Sequence, residues 1–171
     1  VDISTPVPGT PVDDVQYVST TTIQFSWTGV DPEPVSGIAS GIAAYYISIG
    51  TDTNMTVPVK TDTVTINTYM YYSGQQGKTY YAKVSCIDVA GNLSAYSGAS
   101  DGVTIDMTAP AQVSIMNDGL ALGQDITWST MNVIRAVWNN PGSDSESGTV
   151  RYWIKITYGA TSDQGGTVLM D

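Results

Sequence analysis

The stretch TYYAKVSCIDVAGN, residues 79–92, decides the fold class of this chain. Tyr80, Ala82, Val84 and Cys86 occupy every second position, which is the period of a β-strand with one face in a core. The strand then runs into Asp-x-x-Gly-Asn. That combination is typical of a tight turn, because glycine adopts positive φ and Asp and Asn side chains bond to nearby backbone groups. The stretch therefore predicts a long, half-buried strand that ends in a hairpin turn.

Similar strand signals recur about every ten residues along the first hundred, separated by Gly, Pro, Asn and Asp and without a helical period. In one of them Ile23, Phe25 and Trp27 share a face, and we expect this face to meet the inward row of residues 79–88 across a core. Seven strands are predicted, a number that fits a β-sandwich. They lie near 12–20, 22–28, 43–50, 55–61, 63–72, 79–88 and 96–105.

Charge and composition exclude several functional classes. The 171 residues include 16 acidic and 6 basic side chains, and the net charge of −10 repels nucleic acid and anionic membrane surfaces. The absence of histidine excludes a histidine-dependent catalytic triad. The sequence contains no run of 18 apolar residues, so no membrane span is predicted. No export signal is found within these residues. The single cysteine, Cys86, has no partner for an internal disulfide, so packing alone must hold the fold.

The sequence pattern restarts after residue 106. SGIASGIAAYYISIG (36–50) aligns with SESGTVRYWIKITYG (145–159), so that Gly41 matches Gly148, Tyr45 matches Tyr152 and Ile47 matches Ile154. Trp27 finds its counterpart in Trp138, and VDISTP (1–6) matches IDMTAP (105–110). Self-similarity of this kind is the signature of a tandem repeat.

The repeat predicts three segments: a tail of a preceding repeat or linker at 1–5, a complete module at 6–106 and a partial second module at 107–171. The second copy has no counterpart of residues 79–92, so its strands would leave an inner face and an edge uncovered. Two explanations remain open. The sequence is a window of a longer array, or a neighbouring chain supplies the missing strands.

These residues resemble the fibronectin type III domain, in the variety found in bacterial and archaeal extracellular tandem-repeat proteins. The resemblance rests on Trp27 and on the stretches SGIAAYYISIG (40–50), GKTYYAKVSCIDVAGNLSAYS (77–97) and SDGVTIDMTAP (100–110). It implies an all-β, immunoglobulin-like sandwich in which Tyr80 forms a corner that bonds back to the backbone, while Cys86 is a buried and unreactive thiol. The expected core residues are Ile23, Phe25, Trp27, Ile47, Tyr80, Val84, Cys86, Trp138 and Ile154.

Calcium is the one cofactor for which candidate ligands occur, because carboxylate and amide oxygens suit it. The candidates are Asp88 and Asn92 in the turn and Asp2, Asp101 and Asp106 at the junctions, where calcium would stiffen an array. The favoured interpretation is simpler. Asp88 and Asn92 cap a hairpin turn, and the junction aspartates are solvated surface charge. No firm metal site is therefore predicted.

Two further surface features of the sequence bear on its possible ligands and modification. The dense tyrosines would offer an aromatic platform for sugars if several faced outward, although cross-strand aromatic pairs more often cover a sheet. Asn54 and Asn92 each begin an Asn-x-Ser/Thr glycosylation acceptor pattern. The acidic residues are scattered over predicted loops, and no pair suggests the cleft that a glycosidase needs.

The sequence thus predicts a non-catalytic extracellular or cell-surface module that acts as a structural, adhesive or spacer segment of a larger repeat-containing protein. One alternative is an accessory or carbohydrate-binding module of a secreted polysaccharide-degrading enzyme. Another is a self-assembling filament subunit completed by strand complementation. The expected partners are neighbouring repeats, surface proteins or glycans, or copies of the chain itself, and not nucleic acid.

Overall fold

The computed structural model describes two compact units, Val1–Thr108 and Ala109–Asp171. Every regular element among the described residues is a β-strand, and none of these residues lies in a helix that would be long and apolar enough to cross a membrane. The described residues are 1–13, 15–32, 37–126, 130, 132–133, 135–139, 144–148, 151–158 and 167–170.

The first unit is built from short strands around two long ones. In chain order its strands are β1 Val7–Pro8, β2 Val12–Asp13, β3 Tyr17–Val18, β4 Ile23–Ser26, β5 Gly29–Val30, β6 Ile42–Gly50, β7 Lys60–Val64, β8 Thr68–Tyr71, β9 Thr79–Asp88 and β10 Val103–Ile105. Five of them form one sheet in the order β3-β10-β9-β6-β7, and a second sheet has the order β2-β4-β8. β1 pairs with β5. All neighbours are antiparallel except β3 and β10, which are parallel.

The core lies between these two sheets. Phe25 and Ile23 project from β4 towards the alternate residues of β6 and β9, as the two-residue period predicts. Two aromatic contacts join the layers: the Trp27 and Tyr45 rings lie 5.6 Å apart at 70°, and the Tyr71 and Tyr80 rings lie 5.3 Å apart. The buried cluster comprises Ile23, Phe25, Trp27, Tyr45, Ile47, Ile49, Tyr80, Ala82, Val84, Cys86, Val103 and Ile105.

The strand boundaries differ from the prediction where the chain changes sheets. Residues 55–72 were expected to form two strands that break near 62, but the strands are Lys60–Val64 and Thr68–Tyr71. β7 belongs to the five-stranded sheet and β8 to the three-stranded one. Residues 65–67 make the crossing, and there the Asn67 carbonyl accepts a hydrogen bond from the Trp27 N–H at 3.0 Å. The segment 12–20 likewise divides into β2 and β3, which lie in different sheets.

The predicted strand 96–105 is regular only at Val103–Ile105, because serines replace the usual ladder before it. Each of three serines donates its backbone N–H to a carbonyl of β9, and its hydroxyl accepts from the N–H of the same β9 residue. Each serine thus satisfies both the carbonyl and the N–H of one β9 residue. The N–H···O=C and N–H···Oγ distances are 2.9 and 2.9 Å for Ser94 on Cys86, 2.8 and 3.1 Å for Ser97 on Val84, and 3.0 and 3.1 Å for Ser100 on Ala82. We call Ser94, Ser97 and Ser100 the serine ladder.

The second unit has four short strands among its described residues. β11 Met116–Asn117 pairs with β12 Val137–Trp138, and β13 Ile156–Tyr158 pairs with β14 Thr167–Met170. Trp138 and Ile154, which were expected in a core, are both partly exposed. The physical reason is that no described strand of this unit packs against Trp138 and Ile154 in the way that β9 packs in the core of the first unit.

Candidate functional site

The end of β9 carries a buried carboxylate. Asp88 is 2% exposed, and its two oxygens accept hydrogen bonds from the Asn92 backbone N–H and side-chain Nδ2, both at 2.7 Å. The Asp88 N–H donates to the Asn92 carbonyl at 3.1 Å, and Gly91 has a φ of 94°. The turn therefore has the capped geometry that its sequence predicts, and it places the Asp88 carboxylate at a fixed position.

A second carboxylate reaches the same place from the loop before β6. Asp31 follows β5, and its Oδ2 accepts hydrogen bonds from the Gly41 N–H at 2.6 Å and the Ser40 hydroxyl at 3.3 Å. Its Oδ1 is enclosed and has no hydrogen-bond partner. Because β6 pairs antiparallel with β9 and Ile42 lies opposite Asp88, the loop before β6 and the turn after β9 share one edge of the sheet.

The third carboxylate comes from the start of the chain. Asp2 accepts hydrogen bonds from the Ser40 N–H at 2.8 Å and the Ser4 N–H at 3.0 Å, while its backbone carbonyl accepts one from Asn92 Nδ2 at 3.3 Å. The Ser40 and Ser4 amides lower the pKa of this carboxyl. The segment 1–5, predicted as the tail of a preceding repeat or linker, therefore contacts the first unit through Asp2.

Asp2, Asp31 and Asp88 form what we call the acidic cluster. One carboxylate oxygen from each lies within 4.8 Å of the other two, and no ion pair joins the three to a basic side chain in the described parts of the chain. Nearby carboxylates repel one another when all are ionised. An all-oxygen set of this spacing suits a hard divalent cation such as calcium.

The structure divides the calcium candidates that the sequence offered. Asp88 and Asn92 lie together with Asp2, but Asp101 is exposed on the way into β10. Asp106 lies at the other end of β9, where its Oδ1 accepts hydrogen bonds from the Thr108 N–H at 3.1 Å and hydroxyl at 3.0 Å. Asp31 was missed. The signal that could have found it is the antiparallel pairing of the strands at 42–50 and 79–88, because that pairing joins the two loops.

The two glycosylation patterns have different surroundings. Asn54 is exposed, so its amide is accessible to modification. Asn92 is half-buried, and its Nδ2, the atom that would carry a glycan, donates to Asp88 and to the Asp2 carbonyl. A glycan on Asn92 Nδ2 would replace one of the two N–H groups that make these bonds.

The tyrosines divide between core and surface. Tyr45 and Tyr80 are buried, while Tyr72 and Tyr96 are exposed. Tyr46 and Tyr96 line a shallow depression of about 390 Å³ on the five-stranded sheet, together with Thr61, Asp62 and Thr63. This depression places two tyrosine rings beside polar groups on an outward face of the sheet.

Two core residues have the environments that the family resemblance implies. The Gln75 N–H donates to the Tyr80 hydroxyl at 3.1 Å, five residues upstream, which is the arrangement of a tyrosine corner. Cys86 is fully buried, and burial raises the pKa of its thiol. Because the thiolate is the reactive form, this thiol is inert in the folded protein.

The two ends of the first unit lie at opposite ends of β9. Asp2 packs beside the turn that follows Asp88, whereas Ile105 exchanges hydrogen bonds with Gly77 and Lys78, just before Thr79. β9 has ten residues, which at about 3.3 Å each span about 33 Å. The chain therefore runs through this unit from end to end.

Two sheets with a shared core and the strand order described above define an immunoglobulin-like β-sandwich. The distribution of β2, β4 and β8 against β7, β6, β9 and β10, with the tyrosine corner, is that of the fibronectin type III fold.

No family model and no curated protein matches the chain. Among solved structures, it is similar to an Fn3-like protein from Clostridium thermocellum (19% identity, 62% of this chain and 99% of that one, TM-score 0.41). It is also similar to the sixth fibronectin type III domain of human fibronectin type III domain containing protein 3 (19%, 66% and 97%, 0.46) and to domains A168 to A170 of titin (22%, 58% and 33%, 0.42). The chain thus spans about a third of the titin fragment.

Proposed function

We propose that the chain is a non-catalytic structural segment of a larger extracellular or cell-surface protein, in which the first unit acts as a rigid spacer. The observation that carries this proposal is the placement of Asp2 and Ile105 at opposite ends of β9, because a body with that arrangement extends a chain instead of folding it back. The net charge of −10 supports the proposal, since it disfavours self-association of a displayed surface.

The distance between the two ends of the first unit tests the spacer. Spin labels on Ile3→Cys and Met107→Cys, both exposed positions, are placed in a Cys86→Ala background. We expect one narrow distribution centred beyond about 30 Å, as the span of β9 requires. A broad distribution, or one centred below about 20 Å, would refute a rigid spacer.

Mechanical loading tests the same proposal at the level of function. Pulling the full chain through residues 3 and 107 should give one cooperative rupture, because a single core holds both sheets. About 105 residues at roughly 3.6 Å each, less the folded span, predict a release of roughly 340 Å. Extension without a rupture peak would show that the unit does not hold load.

A second candidate is a carbohydrate-binding accessory module, favoured by the depression that Tyr46 and Tyr96 line beside Asp62. Sugars stack on exposed aromatic rings and bond to neighbouring polar groups. A glycan array with wild type and Tyr96→Ala separates the candidates. Binding that is lost in Tyr96→Ala supports the accessory module. Absence of binding in wild type would leave the spacer as the remaining candidate. Tyr72→Ala, which removes another exposed tyrosine, is the matched control.

A further inference from the structure

We propose that the acidic cluster Asp2–Asp31–Asp88 is a calcium site that fastens the start of the first unit to its loop before β6 and its turn after β9. The three residues are far apart in sequence, and the fold brings one oxygen of each within 4.8 Å of the others. Two oxygens on opposite sides of one calcium ion, each at about 2.4 Å, are about 4.8 Å apart. The cluster is therefore compact enough for all three to bind one ion.

The unpaired oxygen of Asp31 is the independent observation that points to a ligand. Buried polar atoms are normally satisfied, and a buried ionised oxygen without a partner is costly. Asp31 Oδ1 is enclosed and accepts no hydrogen bond, although Oδ2 of the same carboxylate accepts two. A cation between the three carboxylates supplies the missing partner and also removes their mutual repulsion.

The surrounding hydrogen bonds hold the ligands in place. Donors from Ser40, Gly41 and Asn92 reach all three carboxylates and leave lone pairs on their oxygens for a cation. Such outer donors orient metal ligands. The set contains only oxygen, so it fits a hard cation and not a transition metal that prefers nitrogen or sulfur. Calcium accepts irregular sets of oxygen ligands, whereas magnesium demands a near-ideal octahedron, so carboxylates that the fold holds in place favour calcium.

Calcium at this cluster would act on the segment that contains Asp2. Residues 1–5 are attached to the unit by the hydrogen bonds of Asp2 with Ser40 and Asn92. An ion shared with Asp31 and Asp88 adds bonds that cross from this segment to both loops. Bound calcium would therefore add to the hydrogen bonds that already hold the first end of the unit and stiffen it further. It does not depend on the spacer function, since a carbohydrate-binding module would carry it equally well.

Calorimetric titration of the EDTA-treated full chain tests the site. We expect one calcium ion per chain with a Kd below about 1 mM, the range of weak extracellular calcium modules, and at least tenfold weaker binding of magnesium. Asp31→Asn should weaken calcium binding at least tenfold. Asp101→Asn, which removes an exposed acid outside the cluster, should bind as wild type does. Absence of binding up to about 10 mM calcium, equal binding of magnesium, or wild-type affinity in Asp31→Asn would each overturn the proposal.

Thermal melting separates a metal ligand from a residue that only supports the loop. In EDTA, Asp31→Asn should melt at the same temperature as wild type or higher, because it removes a repelling charge. In saturating calcium it should melt lower, because wild type alone gains the stabilisation of the bound ion. Asp2→Asn should likewise lose the calcium-dependent rise in melting temperature, but it should melt below wild type in EDTA too, because the amides that lower its pKa stabilise the ionised carboxylate. A variant that melts lower than wild type by the same amount in both buffers would show that the carboxylate is structural and would overturn the site.

Discussion

Trp27 and Trp138 are equivalent by sequence and make the same local contact in different surroundings. Trp27 lies 5.6 Å from Tyr45, and Trp138 lies 5.5 Å from Tyr152, the residue that aligns with Tyr45. Yet Trp27 is 3% exposed, and Trp138 is only partly buried. In the first unit Tyr45 lies opposite Cys86 of β9, and the 171 residues contain no second copy of the β9 sequence.

The difference shows which parts of the fold are local. An aromatic pair forms wherever its two chain segments meet, because the contact needs only neighbouring residues and ring geometry. Burial of such a pair needs a further strand beside it, as β9 lies beside β6 in the first unit. In the second unit several large apolar side chains remain exposed among the described residues, including Leu120, Val133 and Trp153. The closed core of the first unit thus depends on residues 79–105 and not on the tryptophan motif alone.

The largest expected effect comes from removing the two tryptophans separately. Trp27→Ala should lower the free energy of unfolding of the first unit by about 3 to 5 kcal/mol, because a large buried side chain leaves a cavity. Trp138→Ala should cost the second unit about 1 kcal/mol or less, since its partly exposed ring leaves no closed cavity. Urea unfolding of the full chain, with hydrogen exchange measured on peptides from each unit, gives the two values.

Trp27→Phe is the matched control for the first tryptophan. It keeps an aromatic ring in the core and deletes the indole N–H, which is buried without a partner. The cost should therefore be less than half that of Trp27→Ala. If Trp138→Ala costs as much as Trp27→Ala, the second unit has a closed core, and the contrast between the units fails.

The same contrast explains what could be predicted from the sequence. The alternation of Tyr80, Ala82, Val84 and Cys86 is a property of one strand, so β9 and its turn are found from local period alone. The crossing at 65–67 is different. Alternating residues continue through it, and only the pairing of Asn67 with Trp27 shows that the chain has changed sheets.

The candidate site was predicted in part for a similar reason. Asp88 and Asn92 share one turn, and turn chemistry identifies them. Asp31 lies 57 positions before Asp88 in the numbering, in a loop without a motif of its own, and its role depends on the register in which Ile42 faces Asp88. The serine ladder could not be predicted either, because the three-residue spacing of Ser94, Ser97 and Ser100 does not match the two-residue period of a strand.

A smaller effect is expected from the serine ladder, the second device that covers β9. Ser100 is 3% exposed, and its hydroxyl accepts from the Ala82 N–H. Ser100→Ala leaves that N–H without this acceptor in a buried position, which should cost about 1 to 3 kcal/mol. Urea unfolding monitored in the first unit measures the loss.

Ser73→Ala is the control for this prediction, because Ser73 is exposed and should change stability by no more than about 0.5 kcal/mol. Hydrogen exchange adds a local readout: the Ala82 amide should exchange faster in Ser100→Ala than in wild type. Equal stability of the two variants would mean that the serine hydroxyls do not replace strand hydrogen bonds.

The smallest expected effect is an alkaline loss of stability that is specific to the closed core. Burial raises the pKa of Tyr45, Tyr71 and Cys86 in the folded first unit. The unfolded chain therefore releases these protons at lower pH than the folded one, so the unfolded state binds fewer protons and the free energy of unfolding falls as pH rises. The contribution is complete below about pH 8 and is lost progressively from about pH 9 upward.

Urea midpoints measured from pH 7 to pH 11 should decline across that window, and Tyr45→Phe should decline less steeply because it keeps the ring and removes one titrating hydroxyl. General repulsion between the many carboxylates would not distinguish the two proteins, since their net charge is the same until the hydroxyl ionises. Parallel curves for wild type and Tyr45→Phe would therefore show that burial of Tyr45 has no part in the loss. A shallower curve for the variant shows that the buried Tyr45 hydroxyl contributes to the alkaline loss of stability. Tyr45 lies opposite Cys86 of β9, a strand that has no described counterpart in the second unit.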